Sequence, residues 1–188
     1  ILVIHGHGDP AHNRMLDEAG EYFHETYGGE MVNLFGYLWA MPLTDFRSTE
    51  ERGRDGRAEH ATMVETSVIL ALHPRLVSRD VKRALPQTGE SLEDLERIAA
   101  AADWPGYFGD PALAPAALGR KVYRQWLEKG QELVNRILAG DDYRTLPRLA
   151  ELGADDPADA AAVAVNDQME ARQQRWLANR ATEPRPPR

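Results

Sequence analysis

Four consecutive apolar residues, Ile-Leu-Val-Ile at positions 1–4, run directly into a loop holding His5, His7, Asp9 and His12. An unbroken apolar run of this kind fits a short strand covered on both faces, as in a parallel sheet. That narrows the fold sharply, because parallel strands must be joined by long crossovers, usually helical. The next segment supplies one. Met15, Leu16, Ala19, Tyr22 and Phe23 recur at helical spacing over residues 11–27, and Gly28 and Gly29 stop the pattern. Residues 30–39, EMVNLFGYLW, alternate well enough to predict a second strand. Strand, loop, helix and strand make a βαβ unit, which crosses over right-handed. A buried strand at the head of the sequence is unusual, since termini normally lie at the surface. The expectation is therefore the later part of a larger α/β domain, with the preceding part on another chain or outside these 188 residues.

Further on, the pattern dissolves over residues 41–58 into polar, Gly- and Arg-containing sequence that reads as a long loop. Order returns with EHATMVETSVILALHP, where Val64, Val68, Ala71 and Leu72 share a helical face and Pro74 marks the end. Ser91 with Asp94 resembles a capped helix start leading into LEDLERIAAAA. Residues 103–111 are turn-rich. Residues 115–138 predict a long amphipathic helix carrying Leu118, Val122, Trp126, Leu133 and Ile137. Asp156 and Pro157 read as cap and first residue of an Ala-rich helix reaching about Ala178, before a disordered Pro/Arg tail.

Charge and cysteine usage remove several functions. A net charge of −8 offers no broad basic face for nucleic acid. With no cysteine, any metal must sit on His and carboxylate ligands. No apolar run approaches the roughly 20 residues that span a bilayer, and no charged-then-apolar leader opens the sequence. A cytoplasmic protein is the expectation.

Two polar constellations stand out. His7 and Asp9 lie two apart in a glycine-rich turn at the carboxyl end of a parallel strand, where open α/β sheets bind their ligands. Imidazole and carboxylate together suit Zn²⁺ or Mn²⁺. The other reading has hydrogen-bonded loop histidines, with Asp9-Pro10 simply beginning the helix. Further along, Glu59 and His60 sit at a predicted helix N-terminus, where the dipole favours neutral imidazole, able to accept and return a proton. Glu65 falls about 140° round the helix from His60 and suits bracing a neighbouring loop. An ordinary charged surface helix start accounts for the same residues.

Three stretches, in order, resemble one family. HGHGDPAHN resembles the N-G-H-G-G-N loop of the creatininase (creatinine amidohydrolase) family. EHATMVETSVILALHPRLV resembles its H-A-G-x-x-E-T-S helix, and GYFGDPALAPAALGRKV is similar to its G-x-x-G-D-P-x-x-A-x-x-x-x-G segment. The likeness spans residues 1–138. It implies a parallel, Rossmann-like three-layer α/β domain over residues 1–140, incomplete at its N-terminal side, with a helical extension and tail over 141–188. It also implies a two-metal centre of Zn²⁺ and/or Mn²⁺, with His7 and Asp9 matching ligands. An E-x-H pair and a bridging aspartate would come from the missing N-terminal half. His60 matches the catalytic histidine, and Glu59, which precedes it, is placed with it in the catalytic pair and helps shape the pocket. Trp39 resembles an aromatic lining the substrate site, and Glu65 matches the glutamate of E-T-S in a supporting, substrate-side role.

The activity so implied is hydrolysis of a small polar cyclic substrate, opening a cyclic amide C–N bond with metal-activated water. Some relatives open cyclitol-derived ketones at a C–C bond instead. Family members form homo-oligomers, commonly hexamers, and a non-catalytic assembly subunit is the rival expectation. This sequence departs from the family at His5 (asparagine), Asp9-Pro10 (Gly-Asn) and Thr62 (glycine). Asp9 is a methylene shorter than the glutamate-type ligand, and Thr62 adds bulk that points away from creatinine itself.

Overall fold

The computed structural model describes residues 1–56, 60–152 and 157–182. In chain order its elements are β1 (Leu2–Val3), α1 (Pro10–Tyr27), β2 (Val32–Asn33), α2 (Leu34–Ala40), α3 (Thr49–Asp55), α4 (Met63–Leu72), α5 (Leu92–Ala99), α6 (Ala116–Leu138), α7 (Leu149–Leu152) and α8 (Pro157–Thr182). They form two compact units. One comprises Ile1–Pro42 with the described residues from Glu132 onward, the other Leu43–Gln131.

The first unit begins with the expected crossover. β1 and β2 pair in parallel, with Leu2 opposite Val32 and Val3 opposite Asn33. Between them α1 starts at Asp9, whose side chain accepts the His12 N–H, and Pro10 occupies the first helical position, where its missing N–H leaves nothing unsatisfied. Gly28 ends the helix, donating its N–H to the His24 carbonyl at 2.8 Å.

The second strand is far shorter than the alternation over residues 30–39 suggests. Only Val32–Asn33 is extended, and α2 begins at Leu34. Asn33 caps that helix by accepting the Gly36 N–H at 3.2 Å. Leu34 and Tyr37, three residues apart, then share a helical face and bury in one cluster with Val32, Leu133 and Tyr143. The same apolar letters satisfy both periods, and packing on the end of α6 selects the helical one. Among the described residues the sheet has these two strands, and helices make up most of the remainder.

In the second unit the stretch expected as a loop contains α3, whose Ser48 and Glu51 form a reciprocal capping box. The expected helices α4 and α5 and the part of α6 up to Gln131 belong here, α5 with the anticipated Ser91–Asp94 box. Met63, Val68, Ala114, Leu118 and Val122 form the core here. Gly119 lets α6 lie directly on α4, since a Cβ at this position would collide with the backbone carbonyl of Ser67. That contact explains the last glycine of the G-x-x-G-D-P segment as a packing requirement.

The Ala-rich helix α8 runs to Thr182, slightly past the expected end. The Asp156 cap and the tail over 183–188 lie outside the described residues. Among the described residues no helix is long and apolar enough to cross a membrane.

Candidate functional site

The histidine loop is held from below by two buried amides. Asn13 is 0% and Asn33 2% exposed. Asn33 Nδ2 donates to Asn13 Oδ1 at 3.0 Å, and Asn13 Nδ2 donates to the carbonyls of His7 and Asp9, each at 2.9 Å. His5 completes the frame. Its Nδ1 accepts the His7 N–H at 3.1 Å, so its Nε2 carries the proton and donates to Asn33 Oδ1 at 2.9 Å. An asparagine amide likewise carries both donor and acceptor atoms, so His5 keeps both kinds of hydrogen-bonding group at the family's asparagine position.

His7 and Asp9 are thus set on one short loop, both exposed to solvent. Asp9 Oδ1 is committed to the His12 N–H at 2.7 Å as the cap of α1. The His12 ring lies edge-on to both other loop rings, with centroids 5.1 Å from His5 and 5.2 Å from His7. Trp39 joins this region through Phe35, which stacks on it at 5.5 Å and lies 4.7 Å from the His5 ring. The donor types suit a divalent transition metal, but the number does not. Among the described residues no group of three or more His, Asp or Glu side chains could hold a metal ion, and a site needs four or more ligands.

In the same unit Asp17, His24, Asn33, Tyr37, Tyr143 and Arg148 line a cavity of about 190 Å³. Asp17 is 9% exposed and its Oδ2 has no hydrogen-bond partner. Burial pushes its carboxyl up to about 6, against the opposing charge of Arg148. Tyr143 donates its hydroxyl to Glu30, which also pairs with His24 at 3.0 Å.

His60 belongs to the second unit, whereas His7, Asp9 and Trp39 belong to the first. Its imidazole is exposed, and it stands two residues before the cap of α4, not at the cap itself. The turn that carries it is built by the E-T-S residues. Thr62 and Glu65 form a capping box: the Thr62 hydroxyl accepts the Val64 N–H at 3.1 Å, and Glu65 Oε2 accepts the Thr62 N–H at 3.2 Å. Thr66 Oγ1 donates to the Ala61 carbonyl at 3.3 Å, and Ser67 Oγ to the Met63 carbonyl at 2.7 Å. Each of the three side chains folds back on the His60–Met63 turn. Glu65 therefore braces its own helix start. The T-x-x-E spacing of a capping box marks this role in the sequence, where bracing of a neighbouring loop had been the expectation. Glu59 lies outside the described residues.

The G-x-x-G-D-P segment supports the same turn. Phe108 donates its N–H to the His60 carbonyl at 2.8 Å. Asp110 is 1% exposed and accepts from Arg54 at 2.8 Å. Gly109 exchanges backbone bonds with Gln87 at 2.8 and 2.9 Å, fixing the loop against a second segment.

No curated protein and no solved structure matches the chain. The family model described as creatinine amidohydrolase matches residues 1–134. That span contains the histidine loop, the H-A-x-x-x-E-T-S turn and the G-x-x-G-D-P segment, and on it the chain belongs to the creatininase family, whose members are generally metal-dependent amidohydrolases.

Proposed function

We propose that this chain contributes to metal-dependent hydrolysis of a small polar cyclic substrate, opening a cyclic amide at its C–N bond. The observation that carries the reading is the His60 turn: three side chains and one loop are spent on presenting a single exposed imidazole. His60 would accept a proton as water adds to the carbonyl carbon, then return it to the leaving nitrogen as the C–N bond breaks. His7 and the second oxygen of Asp9 would serve as two of the metal donors. Bound Zn²⁺ or Mn²⁺ would lower the pKa of water and polarise the carbonyl. Trp39, 45% exposed, would offer a flat wall to the substrate, Glu59 would help His60 shape the catalytic pocket, and Glu65 would keep the His60 turn in place.

The remaining metal ligands would come from whatever completes the sheet. Ile1, Leu2 and Ile4, in and beside the apolar strand β1, are 67%, 45% and 81% exposed, which suits a strand covered within a larger three-layer parallel domain. We assign that cover to the rest of the family domain, on this or another chain, within a homo-oligomer.

Two measurements test this. Metal analysis of the intact protein should return at least one tightly held Zn²⁺ or Mn²⁺ per assembled site, and a substoichiometric content would favour a non-catalytic assembly role. Turnover of a panel of cyclic amides, with cyclitol-derived cyclic ketones alongside, should disappear in His60→Ala while metal content is kept. Unchanged turnover in that variant removes His60 from the mechanism.

A further inference from the structure

We propose that Asp55 is the positioning residue of His60, gripping both backbone segments that flank it. Asp55 ends α3 and is 0% exposed. Its Oδ1 accepts the Met63 N–H at 3.3 Å and the Asp110 N–H at 2.9 Å. Its Oδ2 accepts from Arg47 Nη1 at 2.8 Å. Met63 opens α4, three residues after His60. Asp110 follows, by two residues, the Phe108 whose N–H holds the His60 carbonyl at 2.8 Å. One carboxylate oxygen therefore ties the start of α4 to the loop that clamps His60 from the other side.

Two further features fit this role. Gly109 has φ 79°, and a Cβ there would collide with Asp55 Oδ1, so the loop approaches the carboxylate as closely as a glycine allows. A buried carboxylate is costly without compensation, and here two amides and one guanidinium supply it. Nothing in the pattern RGRDGR distinguishes this aspartate from its charged neighbours. Its partners at positions 63 and 110 become visible only in three dimensions.

The inference rests on the reading of His60 as the proton carrier, and its test is separable from that reading. In the full chain, amide hydrogen exchange would be followed by NMR, and carbethoxylation of His60 by peptide mass spectrometry. Asp55→Ala should speed exchange at Met63, Phe108 and Asp110 by roughly tenfold or more, while amides late in α4 and in α6 hold their protection. The carbethoxylation rate of His60 should shift by about threefold or more in the same variant, because the turn no longer holds one geometry. Asp55→Asn keeps the Oδ1 acceptor for the Met63 and Asp110 amides but puts an amide NH2 against Arg47, so it should undo part of the change and leave both readouts at least about threefold closer to the parent than Asp55→Ala does. A uniform rise in exchange across the unit, with no rescue by asparagine, would mean general destabilisation and overturn the proposal. So would wild-type protection at Phe108 in folded Asp55→Ala. Should that variant not fold, Arg47→Gln loosens the same carboxylate and is read in the same way. If His60→Ala leaves turnover intact, the catalytic reading falls while the exchange result stands.

Discussion

The Thr66 hydroxyl donates to the carbonyl of Ala61 at 3.3 Å, and Ala61 is the residue in left-handed backbone, at φ 52°, beside His60. Among the described residues no other non-glycine has positive φ. The left-handed region costs an L-residue roughly 1–2 kcal/mol, and strain of this sort persists only where the surroundings over-determine it. Here Thr66, the capping box and the Phe108–His60 bond all hold the turn. Ala61→Gly should therefore stabilise the protein, by about 0.5–1 kcal/mol once the added freedom of the unfolded chain is subtracted. A urea midpoint shifted upward with unchanged slope is the expected result; a downward shift would mean that Ala61 is not strained.

The capping box gives a second expectation, at the position of the H-A-G-x-x-E-T-S motif where this sequence carries threonine in place of glycine. Thr62 is 6% exposed and its hydroxyl is spent on α4. Replacing a capping threonine by alanine costs about 1 kcal/mol, whereas glycine costs only a few tenths. Thr62→Ala should lower stability by that larger amount, and Thr62→Gly, which restores the family residue, by the smaller. Equal losses in denaturant titrations of the two variants would show that the hydroxyl is not the source of the effect.

Asp9 carries two roles that substitutions can separate. As the cap of α1 it accepts the His12 N–H at 2.7 Å, and asparagine caps a helix about as well as aspartate. Asp9→Asn should keep stability within a few tenths of a kcal/mol, and Asp9→Ala should lose about 1 kcal/mol. Metal retention should fall in both, because both lose the anionic donor. A variant that keeps full metal content after dialysis would confine Asp9 to the cap.

The legibility of this chain follows from which forces are local. The Ser91–Asp94 box, the parallel β1–β2 pair and the length of α6 all depend on neighbouring letters or one dominant period and are readable, and the Asp9-Pro10 start of α1 is legible as one of the two readings of that loop. Residues 34–40 were not, because Leu34 and Tyr37 suit a strand or a helix equally until Leu133 and Tyr143 are placed against them. Helix α3 carried a local signal, Ser48-Thr-Glu-Glu51, that was hidden inside an Arg- and Gly-rich stretch. The site divides in the same way. His60 could be named from its motif, but the hydrogen bonds of Thr66, Phe108 and Asp55 that fix its turn join residues whose separation in sequence carries no period.

Asp17 yields a pH dependence whose sign can be worked out. Burial is the largest influence on its carboxyl, with Arg148 opposing and Glu21 and Glu151 adding to it, and the result lies at about 6 against an ordinary 3.8. Between those two values the folded chain holds more protons at this group than the unfolded chain does. Stability from this residue is therefore fully present below about pH 4 and is lost as pH rises towards and through 6. The full span is worth up to about 3 kcal/mol, as two pKa units at 1.36 kcal/mol each. Asp17→Asn keeps the shape, removes the titration, and should gain on the parent steadily across that window. The quantity to follow is the difference in melting temperature between variant and parent at each pH. A difference that stays constant from pH 4 to pH 7 would mean that the Asp17 carboxyl titrates alike in the folded and unfolded chains.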